Sequence, residues 1–298
     1  MSLSAWLVLV GGAAMAQQDF SKVEVTSQKV ADGVYMLTGA GGNIGVSVGA
    51  DTVFLIDDQY APLTPKVKAA VAALSDKPIR FVLNTHWHGD HTGGNKDLGE
   101  AGTLIVAHEN VRKRMSSEQF IEAMGVKVPA SVPAALPVVT FTDAVTFHLN
   151  GEEIHAVHFA PAHTDSDSVV QFRKANVIHA GDLFFNGSYP FIDLSTGGSV
   201  DGMVAGADRM LAMSDDNTRI IPGHGPLGTK ADLKAYRDML ATVRDRVAAQ
   251  LKAGKTLEQV TASAPTAEFD AKWGQGFMKA NLFLAILYKD LASRAPAH

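Results

Sequence analysis

The sequence predicts an α/β protein built as an αββα sandwich, in which two β-sheets pack face to face between outer helices. One observation is the order of the elements: strand-like runs come first and helical runs follow, twice along the chain. The other is composition. The 298 residues are 46% hydrophobic and 19% charged, which suits a globular protein with a sizeable core. We expect a single domain over residues 20–298, with helices at its C-terminal end.

The first half of the chain begins as a predicted β-meander over residues 23–56, where strand-like runs alternate with Gly-rich turns. An amphipathic helix is predicted at residues 62–74, because apolar side chains recur there at helical spacing. The remaining elements are two strands, a helix and a long irregular loop, at residues 80–84, 103–107, 109–124 and 125–137.

The second half repeats this pattern. Strands are predicted at residues 145–149, 153–159, 168–172, 176–180 and 219–221. Helices are predicted at residues 203–213, 231–252, 257–264 and 277–292. No repeat of the length found in solenoid proteins is visible in the sequence.

The N-terminal residues form a short apolar run that ends in Ala14-Met15-Ala16, the small-x-small pattern of a signal-peptidase site. The run is too short to span a bilayer, and it lacks the basic residues of a complete signal. We interpret residues 1–16 as a residual signal peptide, with the mature chain beginning near Gln17. This interpretation predicts a periplasmic or secreted protein with no membrane segment in the mature chain. The alternative is an apolar N-terminal arm.

Charge and cysteine content exclude several classes of function. The formal net charge of -5 is mild, and no basic stripe is present, so we expect no nucleic-acid partner. The chain contains no cysteine, which excludes disulfides, thiolate metal ligands and thiol nucleophiles. Nothing in the sequence implies a protein partner.

A dense group of metal-binding side chains follows the predicted strand at residues 80–84, in the run His86-Trp87-His88-Gly89-Asp90-His91. A tight turn there could direct four donor side chains into one pocket. Zinc binds neutral imidazole and carboxylate well, whereas three clustered imidazoles without a metal would repel when protonated and would need other partners when buried. A single histidine is usually a structural residue, but this cluster predicts a metal site.

The run resembles the signature His-x-His-x-Asp-His of the metallo-β-lactamase superfamily. Three further residues match that family's pattern, each after an apolar strand-like run: His163 in Pro161-Ala162-His163, Asp182 in Ala180-Gly181-Asp182, and His224 in Pro222-Gly223-His224. The resemblance covers roughly residues 23–239. It implies the αββα fold of that family.

The resemblance also implies two metal ions per chain, zinc in the first instance and iron as an alternative. The first ion would be held by His86, His88 and His163. The second would be held by Asp90, His91 and His224. Asp182 would bridge both ions beside a shared hydroxide that acts as the nucleophile. Two divalent cations, two carboxylates and one hydroxide leave a net charge of about +1, which favours a small anionic substrate.

Catalytic roles are assigned to Asp90, Asn186 and Tyr189, and Asn43 is a further candidate. Asp90 is expected to orient the hydroxide as well as to bind metal. Asn186 and Tyr189 follow Asp182 in a loop and are candidates to stabilise an oxyanion, as is Asn43 in the Gly-rich turn. The alternative for each of these three is a turn or wall residue of the pocket.

The resemblance implies hydrolysis of a carbonyl-type bond, with β-lactam ring opening as the leading interpretation. The signal-like N-terminus and the Gly-rich turn at residues 40–43, a possible flap, favour it. Two departures weaken it: one group of lactamases has cysteine where Asp182 stands, and residues 183–208 lack the lysine with which that group grips its substrate. Aspartate there is typical of the family's lactonases, thioesterases and phosphodiesterases. An iron-dependent persulfide dioxygenase, with nearly the same ligands, is the alternative from another class.

Overall fold

A computed structural model describes residues 19–159 and 161–294. The signal-peptide interpretation of residues 1–16 lies outside the described residues. Fifteen strands are described: β1 (Thr26–Ala31), β2 (Val34–Thr38), β3 (Ile44–Val48), β4 (Val53–Ile56), β5 (Ile79–Asn84), β6 (Leu104–His108), β7 (Gln119–Ile121), β8 (Val126–Val128), β9 (Val139–Phe141), β10 (Ala144–Leu149), β11 (Glu152–His158), β12 (Ser168–Phe172), β13 (Val177–His179), β14 (Arg219–Ile221) and β15 (Gly228–Thr229).

Nine helices are described in the same part of the chain: α1 (Thr64–Ala72), α2 (Gly89–Thr92), α3 (Asn95–Glu100), α4 (Glu109–Met115), α5 (Val200–Ala212), α6 (Lys230–Lys252), α7 (Leu257–Ala262), α8 (Asp270–Trp273) and α9 (Ala280–Arg294). Side-chain caps fix several helix starts. Thr229 and Asp232 form a capping box at the start of α6, and Thr256 and Gln259 form one at α7. None of these helices is long and apolar enough to cross a membrane.

The strands form two large sheets and one small hairpin. The first sheet has the order β1-β2-β3-β4-β5-β6-β9, and the second has the order β10-β11-β12-β13-β14-β15. The hairpin consists of β7 and β8. Strands β4, β5, β6 and β9 run parallel to one another in the first sheet, and β13 runs parallel to β14 in the second. The loops that leave these parallel strands therefore gather at one edge of each sheet.

The core has the layered form that the sequence predicts. Phe54 and Leu83 of the first sheet pack with Ile154 and Phe172 of the second, which buries the two inner faces against each other. A second cluster lies between the first sheet and α1, and a third joins the second sheet to α5, α6 and α9. The αββα sandwich is thus confirmed.

Most predicted elements are present with ends shifted by a few residues, but the region after β6 differs. The predicted helix over residues 109–124 ends at Met115, and residues 119–128 form the β7–β8 hairpin. Arg114, in the last turn of α4, forms an ion pair with Asp165 and donates a hydrogen bond to Gln119. These tertiary and side-chain contacts outweigh the local helix propensity, and the helix ends early. The predicted irregular loop over residues 125–137 accordingly contains a strand and a short 3-10 turn. Helices α2, α3 and α8 and the short strands β7, β8, β9 and β15 were not predicted.

Candidate metal centre

The seven predicted ligands gather where strands of the two sheets end. His86 follows β5, and the short helix α2 carries Asp90 and His91. Asp182 follows β13 and His224 follows β14, two parallel neighbours in the second sheet. The structure therefore brings together residues that are separated by as many as 138 positions in the chain, as from His86 to His224 (224 − 86).

The first group of ligands consists of three histidines, His86, His88 and His163, with mutually close nitrogen atoms. His86 Nε2 lies 3.2 Å from His88 Nδ1, which lies 2.9 Å from His163 Nε2. All three side chains are buried. The second group consists of Asp90, His91 and His224.

Atoms of the second group are spaced in a similar way. His91 Nε2 lies 3.4 Å from His224 Nε2, and Asp90 Oδ2 lies 3.6 Å and 3.3 Å from these two nitrogens. His91 is fully buried, but the His224 side chain keeps 28% of its surface exposed. The second group therefore faces the opening of the site.

Asp182 lies between the two groups. Its Oδ2 is 3.4 Å from His224 Nε2 and 3.5 Å from His163 Nε2, one nitrogen from each group. Its Oδ1 is buried 3.1 Å from His91 Nε2 but has no hydrogen-bond partner among the described residues. A buried carboxylate oxygen with no donor is costly, and a cation between the groups would satisfy it.

The ring nitrogens that point away from the cluster are held by acceptors outside the ligand set. His88 donates from Nε2 to Asp193 Oδ2 at 3.1 Å. His163 donates from Nδ1 to the backbone carbonyl of Phe191 at 2.8 Å. In a neutral imidazole the proton then sits on the outer nitrogen, so the inner nitrogen presents its lone pair to the cluster.

Asp57 fixes two more histidines in the same manner. His91 donates from Nδ1 to Asp57 Oδ2 at 2.8 Å. Thr85 Oγ1 also donates to Asp57 Oδ2, at 2.8 Å, and is therefore left to accept from His86 Nδ1 at 3.0 Å. Such outer hydrogen bonds set the tautomer and ring orientation of metal-binding histidines. Four lone pairs are thereby directed into one site.

The donor atoms fit zinc. With zinc–nitrogen bonds of 2.0–2.1 Å, the ligands of a tetrahedral ion lie about 3.3 Å apart, close to the spacings in both groups. All donors are nitrogen or oxygen, which suits zinc and also admits iron. Glycines allow this close packing: a Cβ added at Gly42 would overlap the His91 ring, and one at Gly223 would overlap Asp182 Oδ1.

Electrostatics separates the two groups when no metal is bound. Burial lowers the pKa of His163 to about 4, and burial with the His91 charge holds the pKa of His86 well below its usual value. Burial acts in the same direction on His91 and His224, but the carboxylates of Asp182 and Asp90 outweigh it. They raise the pKa of His224 to about 9 and that of His91 well above its usual value. Against its own burial, Asp182 has a pKa well below the usual range because His91 and His224 are close.

The three candidate oxyanion donors have other partners. Asn186 donates from Nδ2 to the carbonyl of Pro226 at 2.9 Å, which braces the loop that carries His224. Tyr189 is fully buried, and its hydroxyl donates to Asp270 Oδ1 at 2.8 Å. Asn43 is also buried, with its amide donating to backbone carbonyls. These contacts favour the alternative interpretation of all three as structural residues of the pocket wall.

Sequence reasoning missed three residues beside the cluster. Asp57 follows β4, and because β4 and β5 are parallel, their ends meet at one edge; that juxtaposition was the available signal. Asp193 gave no local signal, since it lies 105 positions from His88. Tyr60 lies close enough to the ligands that burial, then the charges of Asp90 and Asp182, raise its pKa above its usual value.

Comparisons with known proteins agree with this geometry. The family model described as the metallo-beta-lactamase superfamily matches residues 37–224. The chain is similar to a hydroxyacylglutathione hydrolase of Nitrosococcus oceani, with 28% identity over 164 residues that cover 55% of each protein. It is also similar to a metallo-beta-lactamase type 2 of Bacteroides fragilis, with 24% identity over 156 residues, 52% of this chain and 57% of that one. The chain thus matches somewhat more than half the length of these curated relatives.

A solved metallo-beta-lactamase from Pontibacter korlensis shares the fold. Its TM-score is 0.61 at 18% sequence identity, and the superposition covers 73% of this chain and 99% of that one. The family model spans well over half of the sequence and includes all seven ligands, from His86 to His224. The chain belongs to the metallo-β-lactamase superfamily.

Proposed function

We propose that this protein is a binuclear zinc hydrolase that cleaves a carbonyl-type bond. The observation that carries the proposal is the arrangement of the ligands. Two groups of three donor atoms lie on either side of the Asp182 carboxylate, and outer hydrogen bonds turn the histidine lone pairs inward. Two zinc ions bound there would supply Lewis acidity and a nucleophile derived from water at neutral pH.

The protein's own residues would position the reactants and hold the proton. Asp90 Oδ2 lies at the junction of the second group, and the Asp90 side chain keeps 19% of its surface exposed. A carboxylate in that position can orient an attacking water and accept its proton. His224 is the most exposed ligand, so a substrate would approach from the side of the second group. The buried first group would remain screened from solvent.

We place β-lactam ring opening first among the substrates, in keeping with the likeness to a metallo-beta-lactamase type 2. Thioester hydrolysis is the second candidate, and the likeness to a hydroxyacylglutathione hydrolase favours it. The two reactions differ at the leaving group. A lactam nitrogen must be protonated to leave, whereas a thiolate leaves without a proton. In either case, we expect an anionic small molecule, with no nucleic-acid or protein partner, and we propose an exported enzyme.

Metal content and turnover test the proposal together. Zinc-supplemented protein should contain about two equivalents of zinc per chain, and it should hydrolyse members of a panel of lactams, lactones, thioesters and phosphodiesters. His88→Ala should abolish turnover, while His148→Ala, at an exposed histidine on β10, should leave it unchanged. A single tightly held iron, with oxygen uptake on persulfides, would overturn the hydrolase assignment.

The Asp182→Cys variant separates the two substrate candidates. A thiolate keeps the negative charge but is softer and binds mainly one zinc ion. If lactams are near the true substrate, the variant should retain lactam hydrolysis while losing thioester hydrolysis. Equal loss of both activities would show that Asp182 does not govern the choice of substrate.

A further inference from the structure

The turn between β2 and β3, at residues 41–43, touches both loops of the second ligand group. Gly42 donates its backbone N–H to the carbonyl of Asp90 at 3.1 Å. Asn43 donates its backbone N–H to the carbonyl of Gly223 at 2.7 Å. Its side-chain Nδ2 donates at 2.9 Å to the carbonyls of Pro222 and Gly225. One asparagine thus holds the chain on both sides of His224.

Asn43 is also tied to the loop that carries the bridging carboxylate. His179 is fully buried and donates from Nε2 to the Asn43 carbonyl at 3.1 Å. The other nitrogen of that ring, Nδ1, accepts from the Gly181 backbone N–H at 3.3 Å. The neighbour of Gly181 is Asp182, so the position of Asn43 is transmitted to the strand end that presents this ligand.

Gln59 fixes the turn itself. Its Oε1 accepts from the Gly41 backbone N–H at 2.7 Å, and its Nε2 donates to the Gly42 carbonyl. Gln59 is fully buried and has a positive φ of 68°, a conformation that costs energy for a residue with a side chain. The turn is therefore held rigidly against the second group.

The first group has a different set of supports among the described contacts. Asp193, Phe191 and Thr85 accept from its three histidines, and none of them contacts the turn at residues 41–43. By contrast, His224 lies between Gly223 and Gly225, outside the helices and strands, and its regular pairing is a single β-bridge to Phe185. Glycine-flanked backbone has high conformational freedom, so outside contacts must fix it.

We propose that Asn43 is the positioning residue of the second metal site, holding His224 in register with Asp90 and Asp182. This inference rests on the proposed binuclear site. Removing the Asn43 amide would leave the carbonyls of Pro222 and Gly225 without their donor and loosen the loop between them, which would keep only its backbone hydrogen bonds. Loss of an outer partner of a metal ligand typically weakens metal affinity about 10- to 100-fold, and here the loss should fall on one site only.

The test compares stepwise zinc affinities of wild type, Asn43→Ala and Asn150→Gly by competition with a chromophoric chelator. Asn150, in the turn between β10 and β11, is a matched control: it lies beside the far end of β3, donates to Ser47 and accepts from the backbone of Asp51 and Thr52. Its φ is 56°, so glycine preserves the backbone. NMR of the cobalt-loaded protein then identifies the weakened site. A bound cobalt ion shifts the imidazole N–H resonances of its own histidine ligands, so the shifted resonances that disappear show which group has lost its ion.

For Asn43→Ala we expect a second zinc affinity at least 10-fold weaker, a first affinity within about threefold, and loss of the His91 and His224 resonances alone. Asn150→Gly should bind both ions as wild type does. Equal weakening of both sites, or no change at either, would overturn the inference. If Asn43→Ala does not fold, Asn43→Ser is measured against the same criteria. Wild type that takes up one ion only would refute the binuclear proposal itself, before any variant is compared.

Discussion

The two halves of the metal centre use the same residue type in opposite electrostatic settings. The first group contains only histidines, and burial keeps the pKa values of His86 and His163 below their usual range. The second group places its histidines beside carboxylates, which raise the pKa of His91 and His224. Without metal, His86 and His163 are therefore neutral at neutral pH and can bind zinc without releasing a proton, whereas His91 and His224 must each release one. The two groups have equal numbers of ligands, but their histidines differ in the direction of the pKa shift.

The halves also differ in mechanical support. His88 and His163 are held from outside by Asp193 and by the carbonyl of Phe191. His224 has no comparable acceptor among the described residues; its ring stacks on Phe185 and its loop is fixed through backbone contacts. All three histidines of the first group are thus held through their side chains, whereas in the second group His91 is held in that way, by Asp57, and His224 depends on its loop.

The largest expected effect comes from the one ligand that both halves share. Asp182→Asn removes a negative charge and weakens the contacts of the carboxylate with both groups. We expect turnover to fall roughly 100-fold or more, since small displacements of catalytic groups cost that much. Metal analysis should show preferential loss of the second ion, with the fold intact by circular dichroism. Loss of the first ion alone would contradict the comparison of the two halves.

Two buried carboxylates should show the difference in support directly. Asp193→Asn disturbs His88 only, so the first zinc affinity should fall about 10-fold and the second should be unchanged. Asp57→Asn disturbs His91, and through Thr85 also His86, so both affinities should fall, each about 10- to 100-fold. Chelator competition measures both steps. An Asp193→Asn protein that loses the second ion first would contradict the proposal that Asp193 supports only the first group.

The pH dependence of zinc binding should differ between the halves. His224→Ala isolates the first group, and His88→Ala isolates the second. The pKa of His163 is near 4 and that of His86 is well below its usual value, so neither holds a proton that zinc must displace between pH 6 and 9. The zinc affinity of the first group should therefore change less with pH than that of the second. With the pKa of His224 near 9, zinc must displace a proton from the second group below that pH. Its affinity should rise about tenfold per pH unit for each proton displaced.

Calorimetry in buffers of different ionisation enthalpy counts these protons. Only unprotonated imidazole binds zinc. Lowering the pH therefore weakens zinc binding in the half whose histidines are protonated in the metal-free state. Equal slopes for the two variants would show that the carboxylates do not distinguish the halves.

The smallest expected effect is at Tyr189, a predicted catalytic residue that the structure places in the core. Its ring stacks on Phe283 with centroids 4.7 Å apart, and its hydroxyl contacts Asp270. Tyr189→Phe should leave turnover within about threefold of wild type and lower the free energy of unfolding by about 1 kcal/mol, the worth of one hydrogen bond. Thermal unfolding and steady-state kinetics check both values. If turnover instead fell by about two orders of magnitude while stability stayed unchanged, the oxyanion role would be restored.

The sequence by itself predicted the candidate ligand residues and the type of fold. His86, His88 and His91 lie within six positions after a strand, so local spacing alone reveals them. Strand-like runs followed by helical runs, twice along the chain, predicted the sandwich, because burial of one face of each element has few solutions. Short-range patterns also predicted most helices to within a few residues, since caps and apolar periodicity are local features.

Tertiary structure alone decided how the two halves differ. Asp57 lies 34 positions from His91, Asp193 lies 105 from His88, and Asn43 lies 182 from Gly225. No spacing rule links residues so far apart, because their contact depends on which strand ends meet at one edge of the two sheets. The same long-range packing ended α4 at Met115 and turned Tyr189 into the core. Local sequence motifs identify the candidate ligands, whereas the charge and orientation of those ligands depend on long-range contacts in the folded protein.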